Sequence, residues 1–246
     1  MGGGVDTAAA TALSLPSAAA TPAEPPASLP SPVVKHLGLK PYEPVWRAMQ
    51  RFTDERLPST ADEIWMVEHP PVFTLGMNAG REHLLAPGDI PVIDIDRGGQ
   101  VTYHGPGQLV IYPLIDVRRL KLGVRQLVVA LENAVIAYVA ELGLAAVGNR
   151  DAPGVYVDGA KLASIGLRIR RGASYHGMAL NVSLDLTPFQ RINVCGHRGL
   201  RVTRLTDLCG VRDVDVAAHG LLPFLLRELG LRYNAINTNL QAVSSR

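Results

Sequence analysis

GVYVDGAKLASIGLRIRRGASYHGMALNVSLDL, Gly154 to Leu186, holds three apolar runs separated by two short polar breaks, Asp158-Gly159 and Arg171-Gly172. Asp-Gly between such runs is a strong hairpin signal, because the turn needs two residues that tolerate positive φ. Strands joined this tightly are antiparallel neighbours, so the segment predicts three consecutive strands of an antiparallel sheet. Alternate residues of a strand share a face. On that rule Lys161 lies with Ala163, Ile165 and Leu167 on the apolar side, and Ser164 faces the other way, which argues against a Ser–Lys pair. A lysine stripped of water favours its neutral amine. The competing reading is a strand-end lysine whose head reaches solvent, and position alone favours it, since lysine is seldom wholly buried.

Outward from this core, PYEPVWRAMQRFTDER (residues 41–56) predicts a helix: Pro44 suits a first turn, and Val45, Met49 and Phe52 recur at helical spacing. EIWMVEHPPVFTLG (63–76) is a strand, a Pro-Pro break and a second extended piece. PVIDID (91–96) and QLVIYPLIDV (108–117) are strands, which leaves the glycine-rich stretch between them as a loop. GVRQLVVALENAVIAYVAELGL (123–144) is the clearest helix, with Leu127, Leu131, Ala134, Tyr138 and Leu142 on one stripe. Val214 to Leu231 forms another helix, kinked or begun afresh at Pro223. There is no internal repeat. Helices before and after a mainly antiparallel sheet predict a single α+β domain.

Residues 1–32 are Ala/Pro-rich, with Ser and Thr, and predict a disordered tail ahead of a folded domain at 33–246. The tail lacks the basic start and sustained apolar stretch of a signal peptide, and no Lys or Arg precedes Lys35, which argues against a transit peptide. With 246 residues, 47% of them hydrophobic, the chain has ample material for a core. No apolar run reaches the roughly 18 residues of a membrane span, and a net charge of +2 is too mild to imply nucleic acid. Two cysteines, Cys195 and Cys209, make no disulfide framework and predict reduced thiols in a cytoplasmic protein.

The chemistry concentrates in three places. DRGGQVTYHGPGQLVIYP (96–113) carries Gly98, Gly99, Gly105 and Gly107, which let backbone approach a ligand and leave amides to hold an oxyanion. SYHGMALN (174–181) repeats the Tyr-His-Gly of the first stretch. Either piece alone reads as a tight turn; together with Arg97-Gly98-Gly99 they point to a ligand site. His104 and His176 read either as acid–base groups or as satisfied core residues, with a structural or substrate-positioning role the favoured reading. INVCGHRG (192–199) sets Cys195 beside Gly196 and ahead of Arg198, Arg201 and Arg204, small and basic neighbours that favour an accessible thiolate. A buried structural cysteine is the equal alternative. Cys209 reads as core filler. Cys195, His197, Cys209 and His219 lack any C-x-x-C pair, so the case for zinc is weak. Neither G-x-x-x-x-G-K-[ST], G-x-G-x-x-G nor G-x-S-x-G occurs, which removes support for three common enzyme classes.

RGGQVTYHGPGQLVIYP, GAKLASIGLRIRRGASYHGMALNV and FQRINVCGHRG, in that order, resemble the three signature blocks of the octanoyltransferases, the lipoyl(octanoyl) transferase or lipoate–protein ligase B family. The helix at 41–56 and the strands at 63–76 fit it too. The resemblance implies the fold of biotin and lipoate ligases. It also implies a cytoplasmic acyltransferase that moves an octanoyl group from acyl carrier protein to a lysine, without cofactor or metal. The acceptors implied are lipoyl domains of 2-oxo-acid dehydrogenase complexes and the glycine-cleavage H protein. By motif match Cys195 is the acyl-thioester nucleophile and Lys161 its activating partner. Substrate contacts fall on Arg97, Gly98, Gly99, Gln100, Val101, Thr102, Tyr103 and His104, on Ser164, Ile165 and Gly166, and on Gly177, Met178 and Ala179. Val194 stands where the family often has proline, and His197 where it often has tyrosine or an apolar residue. Arg168, Arg170, Arg171, Arg198, Arg201 and Arg204 read either as a basic rim that steers an acidic carrier protein or as scattered solvated charges.

Overall fold

A computed structural model describes Met1 and residues 31–232. Most of the expected tail at 1–32, and the last part of the domain, lie outside the described residues. The strands are β1 (Val33–Leu39), β2 (Glu63–Glu68), β3 (Val72–Leu75), β4 (Val92–Asp94), β5 (Val101–His104), β6 (Gln108–Leu114), β7 (Val147–Gly148), β8 (Gly154–Val157), β9 (Ala160–Arg170) and β10 (Ala173–Asn181). The α-helices are α1 (Tyr42–Asp54), α2 (Val124–Glu141), α3 (Leu205–Cys209) and α4 (Val214–Glu228).

Seven strands form the main sheet in the order β1-β2-β6-β10-β9-β8-β7, antiparallel except for the edge pair β1–β2. The two predicted hairpins organise it. Asp158 and Gly159 have φ of 48° and 73°, and Arg171 and Gly172 have 53° and 83°, so both turns carry positive φ at both central residues, as type I′ turns do. β6 shows why the sheet sits at the centre. Leu109 and Ile111 join the core under α2 and α4, and the alternating Val110, Tyr112 and Leu114 join a second core under α1. A strand buried on both faces is apolar throughout.

Three elements depart from the sequence reading. The glycine-rich stretch is not all loop: Val101–His104, rich in strand-forming residues, is β5, the partner of β3 in a second, three-stranded sheet with order β4-β3-β5. The last helix does not restart at Pro223, which lies inside the continuous α4. In β9 the pairs Tyr156↔Lys161 and Val155↔Ala163 skip Leu162, a β-bulge. One extra residue reverses the alternation, so Lys161 shares a face with Tyr156 and Ser164, and not with Ala163, Ile165 and Leu167.

Candidate active site

The bulge turns Lys161 out of the core, and its neighbours then enclose it. The side chain is 1% exposed, so it does not reach solvent as a strand-end lysine would. Its Nζ donates to the carbonyls of Ala152 (3.2 Å) and Pro153 (3.1 Å), to Tyr156 Oη (3.0 Å) and to Cys195 Sγ (3.1 Å). Tyr156 Oη in turn donates to Ala152 O at 2.7 Å. Gly154 permits this crowding: at φ +147°, a Cβ there would lie 2.2 Å from Ala163 O and 2.9 Å from Lys161 Cε.

Cys195 arrives from a separate segment stitched at both ends. Asn193 N–H donates to His83 O at 2.8 Å, and Ile192 bridges Leu84. Downstream, Lys161 N–H donates to Arg201 O (2.8 Å) and Thr203 N–H to Lys161 O (2.9 Å). The sulfur lies between these anchors in a short 3₁₀ turn, Val194–Gly196, with Cys195 itself at φ 54°. Such a left-handed conformation is uncommon for a side-chain-bearing residue. Val194 is buried, Cys195 half-buried and His197 exposed.

Cys195 and the glycine blocks meet at one cavity of about 290 Å³. Cys195 lines it, as do Arg97 to Thr102, His104, Ser164 to Gly166, and Gly177 to Ala179. Tyr103 does not. Alternation along β5 turns its ring away, between Phe73 and Phe189. Lys161 is not on the cavity surface either, but behind the sulfur. Arg97 is buried and donates to Thr74 O (2.9 Å), Thr74 Oγ1 (3.0 Å) and Gly98 O (2.9 Å), which fixes the glycine loop.

Several lining groups were not singled out from the sequence. Tyr42 and Tyr112 close one wall. Asp96 anchors α1 to it by accepting from Trp46 Nε1 (2.8 Å), Gln50 Nε2 (3.2 Å), His176 Nε2 (3.0 Å) and Tyr175 Oη. Partial burial alone would raise the Asp96 pKa, but the bonds from His176, Tyr175 and Trp46 outweigh it and hold the carboxyl well below its usual range. His176 is at φ 57°, a kink that lets it and Tyr175 both reach Asp96. Burial, then the nearby His69, presses His104 down to about 3, and burial lowers His69 to about 4. Burial likewise lowers His176. The imidazoles are therefore neutral near pH 7, which suits an apolar ligand.

Other groupings come apart. Cys209 packs against the core under α2 and α4, and His219 stacks on His36, away from Cys195. Of the six arginines, Arg170 pairs with Asp54 (2.9 Å) and Arg204 with Asp207 (3.0 Å), and Arg201 is held on Asp158 O (2.6 Å). Arg171 is held on Asp54 O (3.0 Å) and Arg168 on Met77 Sδ (2.9 Å), so five of the six are engaged locally rather than free at a rim.

Comparison with known proteins gives the family. Residues 41–219 match the family model of the lipoyl protein ligase A/B catalytic domain. The chain is 59% identical over 196 residues to an octanoyltransferase of Pseudomonas entomophila, covering 80% of this chain and 91% of that one. It is 60% identical over 203 residues to an octanoyltransferase of Alkalilimnicola ehrlichii, covering 80% and 94%. Among solved structures it resembles a lipoate-protein ligase A bound with ATP, with a TM-score of 0.68 at 17% identity, covering 83% of this chain and 87% of that one. That likeness shows a lipoate-ligase-like fold. The chain therefore belongs to the octanoyltransferase family, acyltransferases of protein lipoylation that carry the lipoyl protein ligase A/B catalytic domain.

Proposed function

We propose that the chain takes an octanoyl group from octanoyl-acyl carrier protein onto Cys195 and passes it to a lysine of a lipoyl domain. The acceptors are 2-oxo-acid dehydrogenase lipoyl domains and the glycine-cleavage H protein, and the reaction is cytoplasmic. The observation that carries this reading is the 3.1 Å contact between Lys161 Nζ and Cys195 Sγ at the wall of the cavity.

In the first half-reaction the Cys195 proton moves to Lys161 Nζ, and the ammonium so formed is held by hydrogen bonds to Ala152 O, Pro153 O and Tyr156 Oη. The thiolate adds to the thioester carbonyl, the C–S bond to the carrier breaks, and the leaving carrier thiolate takes that proton from Lys161 Nζ, which returns the lysine to its neutral form. One thioester replaces another, at little change in free energy. In the second half-reaction the acceptor amine adds to the acyl-enzyme carbonyl and gives up a proton to Lys161, and the Cys195 thiolate leaves. The amide is more stable than the thioester, so this step runs downhill and uses no nucleotide. One cavity serving two protein partners in turn gives ping-pong kinetics. The acyl chain lies in the cavity that Gly98, Gly99, Gly166 and Gly177 line. A cavity of about 290 Å³ is near the lower end of small-ligand pockets, a size for a short acyl chain.

The test is intact mass spectrometry after mixing with octanoyl-acyl carrier protein. The expected result is a single octanoyl adduct, removed by hydroxylamine and missing in Cys195→Ala. ATP with free octanoate should leave the protein unmodified. Full transfer to a lipoyl domain by Cys195→Ala would refute the acyl-enzyme.

A further inference from the structure

Glu132 lies in α2 and is 8% exposed, among the core-facing residues Leu131, Ala134 and Val135. A carboxylate there is costly unless something engages it. No cationic side chain among the described residues pairs with it. Its contact is a single backbone donor: Gly154 N–H to Glu132 Oε1, at 2.9 Å. The carboxylate also presses on Gly148, where a Cβ would lie 2.9 Å from Oε2.

Gly154 N–H belongs to the same peptide unit as Pro153 C=O. In a trans peptide the two groups sit in one rigid plane and point to opposite edges. Glu132 grips one edge, and the other edge presents Pro153 O to Lys161 Nζ at 3.1 Å. Rotating that plane would swing Pro153 O, which otherwise accepts only a long bond from Ile165 N–H (3.4 Å) among the described residues, away from the ammonium site. Pro153 has no N–H of its own to anchor the turn. A hydrogen bond to an ionised acceptor also polarises the peptide and strengthens its carbonyl as an acceptor.

We infer that Glu132 is a positioning residue for the acyl-transfer dyad: by holding the Pro153–Gly154 peptide plane, it fixes Lys161 Nζ against Cys195 Sγ. This rests on the dyad reading above and adds a third member that touches neither substrate nor sulfur.

The test is the rate of Cys195 carboxamidomethylation by iodoacetamide, read by peptide mass in the full-length chain, with unfolding midpoints measured in parallel. Glu132→Ala should slow the reaction about tenfold, the worth of one hydrogen bond to a charged group. Glu132→Gln, which keeps an acceptor at the same reach, should stay within about threefold of wild type, since it keeps a neutral form of that bond. In a Lys161→Met background, Glu132→Ala should cause no further loss, because a residue acting only through Lys161 is non-additive with it. Should the alanine variant fail to fold, Glu132→Met, of similar length and without an acceptor, takes its place. An unchanged rate in Glu132→Ala, equal losses in Ala and Gln, or the same loss with and without Lys161 would each overturn the inference. Alkylation needs no acyl donor. A wild-type chain that takes up no octanoyl thus refutes the acyl-enzyme alone.

Discussion

Replacing Lys161 with methionine keeps an unbranched side chain and removes the amine that lies 3.1 Å from Cys195 Sγ and would take its proton. Two losses follow, and they differ in pH dependence. An unassisted thiol with an ordinary pKa of about 8.5 is only about 3% thiolate at pH 7, a loss of roughly thirtyfold. Loss of a positioned acid–base group typically costs about 10²–10⁴-fold, so the octanoylation rate at pH 7 should fall within that range. The thiolate share of the loss should return as the pH rises to about 10, where an unassisted thiol ionises without help. The wild-type rate should change much less over the same interval. Single-turnover acylation by octanoyl-acyl carrier protein, quenched and read by intact mass, measures both. The substitution also leaves Ala152 O, Pro153 O and Tyr156 Oη without their shared donor, so unfolding must be followed to show that the variant is native at each pH. A rate within threefold of wild type at pH 7, or a deficit that does not narrow with pH, would refute the proton transfer.

Gly177→Ala would set a Cβ 2.0 Å from Ile111 O and 2.7 Å from Pro113 Cδ. The first of these is backbone of β6 and cannot turn aside, so overpacking should cost at least about 1–3 kcal/mol and lower Tm by several degrees, measurable by calorimetry; an unchanged Tm would refute so close an approach of β10 to β6. Stability should also fall with pH below neutrality: His104 and His69, lowered to about 3 and about 4 by burial, stay neutral while folded, but an unfolded chain protonates them near 6.5. The unfolded state therefore binds more protons between those limits, stability is full above 6.5, and it is lost progressively down to about 4 for His69 and about 3 for His104. His104→Gln should remove about one proton's worth of that slope in denaturant titrations at stepped pH, and an unaltered slope would show that His104 already titrates normally.

What the sequence revealed, and what it hid, divides along the range of the interactions involved. Both hairpin turns were legible because their requirement is local, a pair of residues able to take positive φ. A two-residue turn also dictates that Tyr156 sits opposite Lys161, so one wall of the lysine's nest was within reach of sequence reasoning. The bulge at Leu162 was not: Leu162 is as apolar as its neighbours, and only the pairing with β8 skips it. Without the bulge, strict alternation puts Lys161 on the core face, and the pairing with Cys195 is what the motif resemblance implies rather than what periodicity shows. β5 was hidden for a similar reason, since glycines on both sides mask four strand-forming residues whose only partner is β3. Asp96 and Glu132 illustrate the general limit. Each is a single acid in an ordinary setting, one at a strand end and the other next to a helical stripe. Their roles depend on donors far away in the chain, Trp46 and His176 for Asp96 and Gly154 for Glu132. A pattern of polar and apolar letters specifies which face is buried. It does not specify which peptide plane a buried carboxylate will hold, and the geometry of the dyad depends on that orientation.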